Sequence, residues 1–462
     1  MKIIKSIANR LNDFRTVDLG DGRVMSVLVK LAIPSIAMCV FHTLFHLVDT
    51  IFISWLGEKH LLAISFTFTV QIGFIAIVEG VTNGVTALVG RCLGEDKEGL
   101  ACRTAKAGMA LAVILTFLWT PFLFKLPSNA FFMSIGAKDP EVLHLAWLYN
   151  MWTPPMFLLV SFGFIVCAIF SCQGDKLTPL ISYAISNALN VFLDALFIFG
   201  FGWGITGAAA ATFIGRACGI CYLMYKLRTS SKIKVAILQM PHLYMMRLWR
   251  KIVAIGLPVT FSTGSVALGI GTMTKILAAT YGGVSVAGWL VGSRVEDFAF
   301  TTLIGVNDAL VPFLAFNYGR RSFERMKEGI RSALFMSSVM IFVICVIIFA
   351  VPHPIIHLFH PTKEVEDIAI QSLRLSVAAY FFVMYATIYN ALFTAVGKTV
   401  YGLIIQTFRS LFVRITALWV LAHYLTIHWI WVFQPISYFA SGAMTFFFAR
   451  SLMKKLKKEL RS

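Results

Sequence analysis

The sequence predicts an all-α integral membrane protein with twelve transmembrane helices, arranged as two six-helix lobes around a central cleft. Hydrophobic residues make up 58% of the 462 residues and charged residues only 13%, with a mean hydropathy of +0.80. Soluble domains carry roughly a quarter charged residues. Apolar runs close to the roughly 20 residues that a helix needs to cross the hydrocarbon recur along nearly the whole chain.

The individual spans follow from apolar runs that end at charged residues or at Gly and Pro. The predicted spans are 25–54, 61–90, 104–126, 142–171, 177–200, 205–227, 249–280, 285–314, 329–352, 366–396, 400–423 and 428–450. Lys and Arg are retained on the cytoplasmic side of a membrane. Most of the 40 lie in the termini and the even-numbered loops. We therefore expect a multi-pass protein of the plasma membrane (the bacterial inner membrane) with both termini in the cytoplasm.

The basic charge of the chain fits a membrane better than a nucleic acid. The net charge is +18, but a nucleic-acid-binding protein places its cations on one polar face, whereas here they lie in short loops. We expect no nucleic-acid partner and a monomer in the lipid bilayer. The cluster of Lys and Arg at the C-terminus is interpreted as a membrane-surface anchor.

Two halves of the chain resemble each other at a fixed offset. Three glycine pairs share one separation: Gly57 and Gly282, Gly80 and Gly305, Gly94 and Gly319. Six spans in the same orientation in each half form a parallel, pseudo-two-fold repeat, which suits alternating access. The predicted segments are a cytoplasmic N-terminal segment (1–24), an N-terminal lobe (25–227), a cytoplasmic linker (228–248), a C-terminal lobe (249–450) and a basic cytoplasmic tail (451–462).

Polar residues inside the predicted spans indicate where function lies, because a charge at the bilayer centre costs about 2.5–3.5 kcal/mol on insertion scales. Helical rise places Asp49 and Asp194 at similar depths, with Asn190 one turn from Asp194 and Thr212 on the next span. Polar groups of this kind also satisfy one another across helix contacts. Two carboxylates without an obvious basic partner favour a site for a proton or a small cation. We predict cation coupling at Asp49, Asn190, Asp194 and Thr212.

Other intramembrane groups allow several interpretations. His42 and His46 share a helical face with Asp49, and a proton relay, a metal site and plain cavity lining are all open, the last being favoured. In the other half, Arg294, Glu296 and Asp297 lie at a depth that Lys275 can reach, which favours an internally neutralised network. Arg216 is interpreted as structural. No nucleophile with a base and no set of paired metal ligands is evident, so we expect no enzyme, no catalytic residue, no resident metal and no cofactor other than a coupling ion.

Several strings in a characteristic order resemble the multidrug and toxic compound extrusion (MATE) transporters. These strings are Leu31-Ala32-Ile33-Pro34, Asp49-Thr50-Ile51-Phe52, Gly174-Asp175-Lys176 with Asn187, Asn190 and Asp194, Gly204 to Thr212, and Phe316-Asn317-Tyr318-Gly319. The resemblance implies export of small organic compounds driven by inward movement of H⁺ or Na⁺. It is similar to the DinF-type branch, whose N-terminal-lobe cluster matches the four residues above and whose span one bends at the position of Pro34. His46 departs from the Asn that relatives often carry.

The expected substrates are small organic, cationic or amphiphilic compounds. The alternative within transport is a flippase for lipid-linked oligosaccharides or lipids, which Arg216, Lys275 and Arg294 keep open and the acidic cluster disfavours. The sequence does not choose between H⁺ and Na⁺, because carboxylates with amide and hydroxyl oxygens serve both.

Overall fold

The described part of the chain is built from α-helices, and these position the candidate site. The computed structural model describes residues 17–134, 137–231, 233, 243–377, 379–427 and 429–461, and these contain no β-strand. The α-helices are α1 (Val24–Ser54), α2 (Glu58–Gly94), α3 (Glu98–Trp119), α4 (Lys125–Ser134), α5 (Pro140–Asn150), α6 (Thr153–Cys172), α7 (Leu177–Asp194), α8 (Gly204–Thr229), α9 (Leu243–Tyr281), α10 (Gly283–Gly319), α11 (Phe323–Ala350), α12 (Pro352–His357), α13 (Lys363–Val377), α14 (Tyr380–Ala395), α15 (Thr399–Thr407), α16 (Arg414–Leu421) and α17 (Phe433–Arg461). π-Helical turns at Ala195–Gly200 and Phe408–Val413 extend α7 and join α15 to α16.

The described chain forms two compact units. Unit 1 contains residues 17–20 and Ile33–Leu257, and unit 2 contains Asp21–Ala32 and Pro258–Ser462. The boundaries therefore lie inside α1 and α9, close to Pro34 and at Pro258, where a missing backbone N–H interrupts the helical hydrogen bonds. The predicted linker, 228–248, lies before the second boundary, and its residues 232 and 234–242 are outside the described residues.

The internal repeat is confirmed in the backbone. The helices α2 and α10 each have 37 residues. Each follows a glycine with positive φ, +118° at Gly57 and +81° at Gly282, a region that residues with a side chain rarely adopt. They end at Gly94 and Gly319, as the constant separation predicts.

Two predicted spans are broken in the structure. Residues 142–171 form α5 and α6 rather than one helix, because prolines open the first turn of α6, where their missing N–H is tolerated. Residues 366–396 likewise form α13 and α14. Within the described chain, ten helical spans are long and apolar enough to cross a membrane, and the pair α13 and α14 would be an eleventh. The remaining predicted span corresponds to α17, whose apolar character is diluted by buried Gln434, Ser437, Ser441 and Thr445.

Each unit has apolar cores of its own. In unit 1, Phe74 of α2 stacks on Phe157 of α6 with ring centroids 4.0 Å apart. In unit 2, Tyr380 of α14 packs with Ile341 of α11 and Leu303 of α10. Polar groups that reach such interiors need partners, because an unpaired buried polar group is costly.

Candidate functional site

The helices α7 and α8 lie in close contact and present the predicted polar residues. A Cβ atom at Gly215 of α8 would lie 2.8 Å from the Ser186 carbonyl oxygen and 3.2 Å from Asn190 Cβ of α7. One turn further along, the Ser182 hydroxyl donates a 2.8 Å hydrogen bond to the Gly219 carbonyl oxygen. Small residues at such crossings let helix backbones approach closely, so the two helices hold their polar groups at short range.

The structure brings the four predicted cation-coupling residues together in unit 1. Asn190 Nδ2 donates to Thr212 Oγ1 at 3.4 Å, and Asp49 of α1 is close enough to Asp194 for the two carboxylate charges to repel each other. All four side chains are buried, with Asn190 and Asp194 fully so. A buried pair of like charges favours binding of a proton or a cation between them.

Four oxygens of this cluster have no donor in hydrogen-bonding geometry among the described residues: Asp49 Oδ1, Asn190 Oδ1 and both carboxylate oxygens of Asp194. The Asn190 amide is near enough to interact with Asp194, but its hydrogen bond goes to Thr212. Native proteins pair the large majority of buried polar atoms, so four unpaired acceptors in one cluster require an explanation. Carboxylate and amide oxygens are suitable ligands for a proton or for Na⁺.

Tyr149 and Gln71 also border the cluster, and sequence reasoning missed both. The Tyr149 hydroxyl faces Gln71 and Thr212, and the charges of Asp49 and Asp194 act on it. Tyr149 is buried near the end of α5, just before the break that precedes α6. The sequence predicts one continuous helix over residues 142–171, and this prediction gives no indication that Tyr149 lies at a helix end beside the cluster.

Arg216 lies one helical turn from Thr212 and supplies a positive charge close to the cluster. Its guanidinium stands 4.6 Å from the ring centroid of Phe45 and 5.9 Å from that of Tyr183, and such cation–π contacts are attractive. Its charge acts on Asp49, although no salt bridge within 4.0 Å joins Arg216 to any described carboxylate. Arg216 is therefore electrostatically linked to the site and held by aromatic rings.

His42 and His46 lie on α1 beside Arg216. Their ring centroids are 4.8 Å apart, and His46 also meets the ring of Phe68 at 5.5 Å. Arg216 acts on both rings. Within the described ranges, no three His, Cys, Asp or Glu side chains converge to form a metal site. Cavity lining and proton transfer both stay predictions for the two histidines.

In unit 2, the structure brings together three members of the predicted group of Lys275, Arg294, Glu296 and Asp297, because the charge of Arg294 acts on Asp297 and the charge of Asp297 acts on Glu296. Lys275, Arg294 and Asp297 are exposed, and only Glu296 is buried. Glu296 Oε1 accepts a 3.0 Å hydrogen bond from the Tyr380 hydroxyl. Helical spacing predicts one depth for the four residues, but it does not predict that Glu296 alone among them is buried.

The groups that accompany Glu296 are two arginines that the sequence did not single out. Arg409 lies in the π-helical turn with its guanidinium 5.6 Å from the ring centroid of Tyr438. Arg414 is buried and donates from Nη2 to Gln434 Oε1. Both arginines are in electrostatic contact with the Glu296 and Tyr438 pair. Their partners lie on other helices, Glu296 on α10 and Gln434 and Tyr438 on α17, so spacing within one helix gave no indication of them.

A cavity of about 400 Å³ lies within unit 2 beside this network. Its volume falls within the range of small-molecule sites. Amides and hydroxyls supply most of its polar lining: Asn307, Asn390, Gln406, Thr263 and Thr387. The described lining contains one charged side chain, Arg409, and no carboxylate.

The family assignment rests on a match along both halves of the chain. The family model described as MatE matches residues 34–196 and 268–420. The chain belongs to the MatE family of multidrug and toxic compound extrusion transporters. Members of this family are multi-pass membrane transporters and not enzymes. The match covers three of the four predicted cation-coupling residues, Asp49, Asn190 and Asp194. Thr212 lies between the two matched ranges.

Individual relatives of this MatE-family chain are multidrug exporters. A probable multidrug resistance protein NorM of Thermotoga maritima is 25% identical over 445 residues, which is 93% of each chain. The multidrug export protein MepA of Staphylococcus aureus is 25% identical over 390 residues, or 81% of this chain and 82% of MepA. These relatives favour drug export over the flippase alternative. They do not distinguish the DinF-type branch, which stays a prediction.

Solved MATE structures share the fold. An outward-facing MATE transporter of the MOP superfamily matches with a TM-score of 0.88 at 22% identity, covering 96% of this chain and 99% of that one. A MOP superfamily transporter from Pyrococcus furiosus matches with a TM-score of 0.87 at 23% identity, covering 95% and 98%. The predicted all-α membrane fold is therefore confirmed.

Proposed function

We propose that this chain is a cation-coupled antiporter that exports small organic compounds. The coupling ion, H⁺ or Na⁺, binds at Asp49, Asn190, Asp194 and Thr212, and no further cofactor takes part. The four buried acceptor oxygens without a donor among the described residues carry this proposal. An ion there offsets the repulsion between the two carboxylates and replaces the missing donors.

Coupling requires that the ion bind two states of the protein with different affinity. Asp49 lies on α1, a helix whose first residues belong to unit 2 and whose remainder belongs to unit 1. Pro34 lies next to this change, and a proline in a membrane helix is a natural place for a bend. We propose that ion binding at Asp49 rearranges α1 near Pro34 and thereby releases substrate by alternating access. His42, His46 and Tyr149 border the site as groups through which a proton can reach it.

The proposed substrates are amphiphilic organic compounds, including cations with an acceptor group. The carboxylates of unit 1 attract a positive charge, whereas the cavity of unit 2 offers amide donors and the Arg409 guanidinium. A compound with an apolar body and a hydrogen-bond acceptor satisfies that lining better than a bare cation. The transporter is proposed to act as a monomer, with both termini in the cytoplasm and no nucleic-acid partner.

Proteoliposomes test this function directly. Purified protein is reconstituted, a pH gradient and a Na⁺ gradient are imposed separately, and uptake of a fluorescent amphiphilic dye is followed. We expect dye accumulation against its gradient with one of the two ions and its collapse when that gradient is dissipated. Equal accumulation without either gradient would overturn the proposal.

A further inference from the structure

A basic groove lies at one end of unit 2, away from the 400 Å³ cavity. We define the basic groove by its five cationic lining residues: Lys327, Arg331, Arg450, Lys454 and Lys457. Its volume is about 410 Å³, and it lies where the first turns of α11, the helix α14 and the C-terminal half of α17 meet. The positive-inside rule assigns this end, with its many Lys and Arg, to the cytoplasmic face.

Helical spacing directs the cations into one groove. Lys327 and Arg331 are four residues apart on α11, so they share a face. Arg450, Lys454 and Lys457 follow one another at intervals of four and three residues on α17 and also share a face. Cations distributed evenly over the cytoplasmic helix ends would be enough to orient the protein in the membrane. The convergence of five cations on one groove therefore suggests an additional role.

The end of α17 is a docked helix rather than a free tail. Leu452 and Leu456 are buried on the side opposite the cations. The Tyr318 hydroxyl donates a 3.2 Å hydrogen bond to Glu459 Oε1. Packing on one side fixes the positions of the cations on the other.

Within the part of the chain that the structure describes, acidic side chains neutralise little of the positive charge of the groove. Among the described residues, no carboxylate forms a salt bridge within 4.0 Å with any of the five cations. The groove lining contains one acid, Glu324, which leaves four net positive charges. Like charges held together produce a positive local potential that attracts an anion.

The floor of the groove is apolar and aromatic. Tyr385 and Tyr389 place their ring centroids 4.7 Å apart, and Phe446 and Met453 line the same space. Phe446 is 46% exposed, and its neighbour Phe447 is 70% exposed. At 1.5 Å per residue, Lys327 and Arg331 are separated by roughly 6 Å along α11, which is comparable to the roughly 5–8 Å thickness of one headgroup layer of a bilayer.

We propose that the basic groove binds the phosphodiester headgroup of an anionic phospholipid, with an acyl chain along Phe446. Basic pockets between membrane helices on the cytoplasmic side suit such headgroups, since each Lys or Arg near the surface adds to the attraction. A soluble phosphate compound would use the cations but would gain nothing from the aromatic floor. The site is independent of the ion cluster in unit 1 and of the proposed antiport.

The test compares two double variants of α17 that remove equal charge. Lys454→Gln with Lys457→Gln removes two cations from the groove. Lys455→Gln with Lys458→Gln removes two exposed cations of the same helix that do not line it. Full-length protein in detergent is titrated with short-chain phosphatidylglycerol, phosphatidylcholine and inorganic phosphate, and bound lipid is counted by native mass spectrometry.

We expect wild-type protein to retain phosphatidylglycerol over phosphatidylcholine, and the groove variant to lose at least tenfold in phosphatidylglycerol affinity. The matched variant should change less than twofold. Equal losses of phosphatidylglycerol affinity in both variants would show only general electrostatic attraction and would overturn the proposal. Displacement of the lipid by inorganic phosphate at an equal concentration would also overturn it. Lys327→Gln, on the facing helix α11, is a second test. An unchanged affinity of this variant for phosphatidylglycerol would also contradict the proposed binding site.

Discussion

Units 1 and 2 share a backbone repeat but hold their buried charges in opposite ways. In unit 1, the charges of Asp49 and Asp194 act on each other, and three of their four carboxylate oxygens have no donor in hydrogen-bonding geometry among the described residues. In unit 2, Glu296 accepts from two tyrosine hydroxyls and has arginines nearby. A carboxylate that is already satisfied has little need for a mobile ion, whereas an unsatisfied pair does. The difference supports our proposal that unit 1 takes the coupling ion and that the cavity of unit 2 receives an organic substrate.

The largest expected effect comes from removing a carboxylate of unit 1. Asp194→Asn and Asp49→Asn each keep the side-chain size but remove a charge that the coupling ion needs. Gradient-driven accumulation of dye in proteoliposomes should fall at least tenfold, to the level of empty vesicles. Asp297→Asn, an exposed carboxylate of unit 2, should stay within twofold of wild type. Equal loss in Asp297→Asn would contradict the assignment of roles to the units.

A smaller loss of stability and ion affinity is expected when a larger residue separates α7 from α8. Gly215→Ala places a methyl group 2.8 Å from the Ser186 carbonyl oxygen beside Asn190, and overpacking of this kind costs about 1–3 kcal/mol. Thermal unfolding in detergent should shift to lower temperature, and ion affinity should weaken. Gly271→Ala on α9 meets nothing within 4 Å and serves as the control. A stable, fully coupled Gly215→Ala variant would show that the close contact is not needed.

Replacing the charged residue of the unit 2 cavity should alter selectivity. Arg409→Met removes a donor whose charge-assisted hydrogen bond is worth about 1.5–3 kcal/mol. The apparent affinity for a carboxylate-bearing amphiphile should fall about tenfold or more, while that for its neutral methyl ester stays constant. Competition against dye efflux measures both. An equal loss of affinity for both compounds would point to a structural role for Arg409. Arg409→Lys should recover part of the selectivity.

The smallest effect is expected at Arg216. Arg216→Met removes a like charge near the cation site of unit 1 and keeps an apolar contact with Phe45. A neighbouring charge at partly screened distances contributes about 1 kcal/mol, so the apparent affinity for the coupling cation should tighten roughly threefold to tenfold. The ion dependence of initial transport rates gives this affinity. Weaker ion binding in the variant would mean that Arg216 instead helps to build the site.

Local pattern predicted the backbone and the acidic cluster well. Glycine spacing gave the matched starts of α2 and α10, because only glycine adopts their positive φ readily. Helical rise and depth placed Asn190 beside Thr212, because both lie on straight stretches of adjacent helices. These features depend on short-range geometry that a sequence carries directly.

Features that depend on distant partners could not be predicted. The apolar character of residues 142–171 predicts one continuous helix, and it does not reveal the break near Pro154 that positions Tyr149. The aromatic contact of Arg216 with Phe45 joins α8 to α1, and Glu296 meets Tyr380 across 84 residues. Helix rotation decides which side of a span faces the interior, and depth alone does not give that rotation, as exposed Lys275 shows.

The most direct test of the central claim measures ion release on substrate binding. By linkage, a substrate that weakens ion binding must displace the ion from purified protein. Proton release into weak buffer, or release of ²²Na⁺, is recorded as substrate is added in detergent. We predict release from wild type and from Asp297→Asn, and none from Asp49→Asn or Asp194→Asn, with substrate still bound in all four. Undiminished release from both unit 1 variants would contradict an ion site at Asp49 and Asp194.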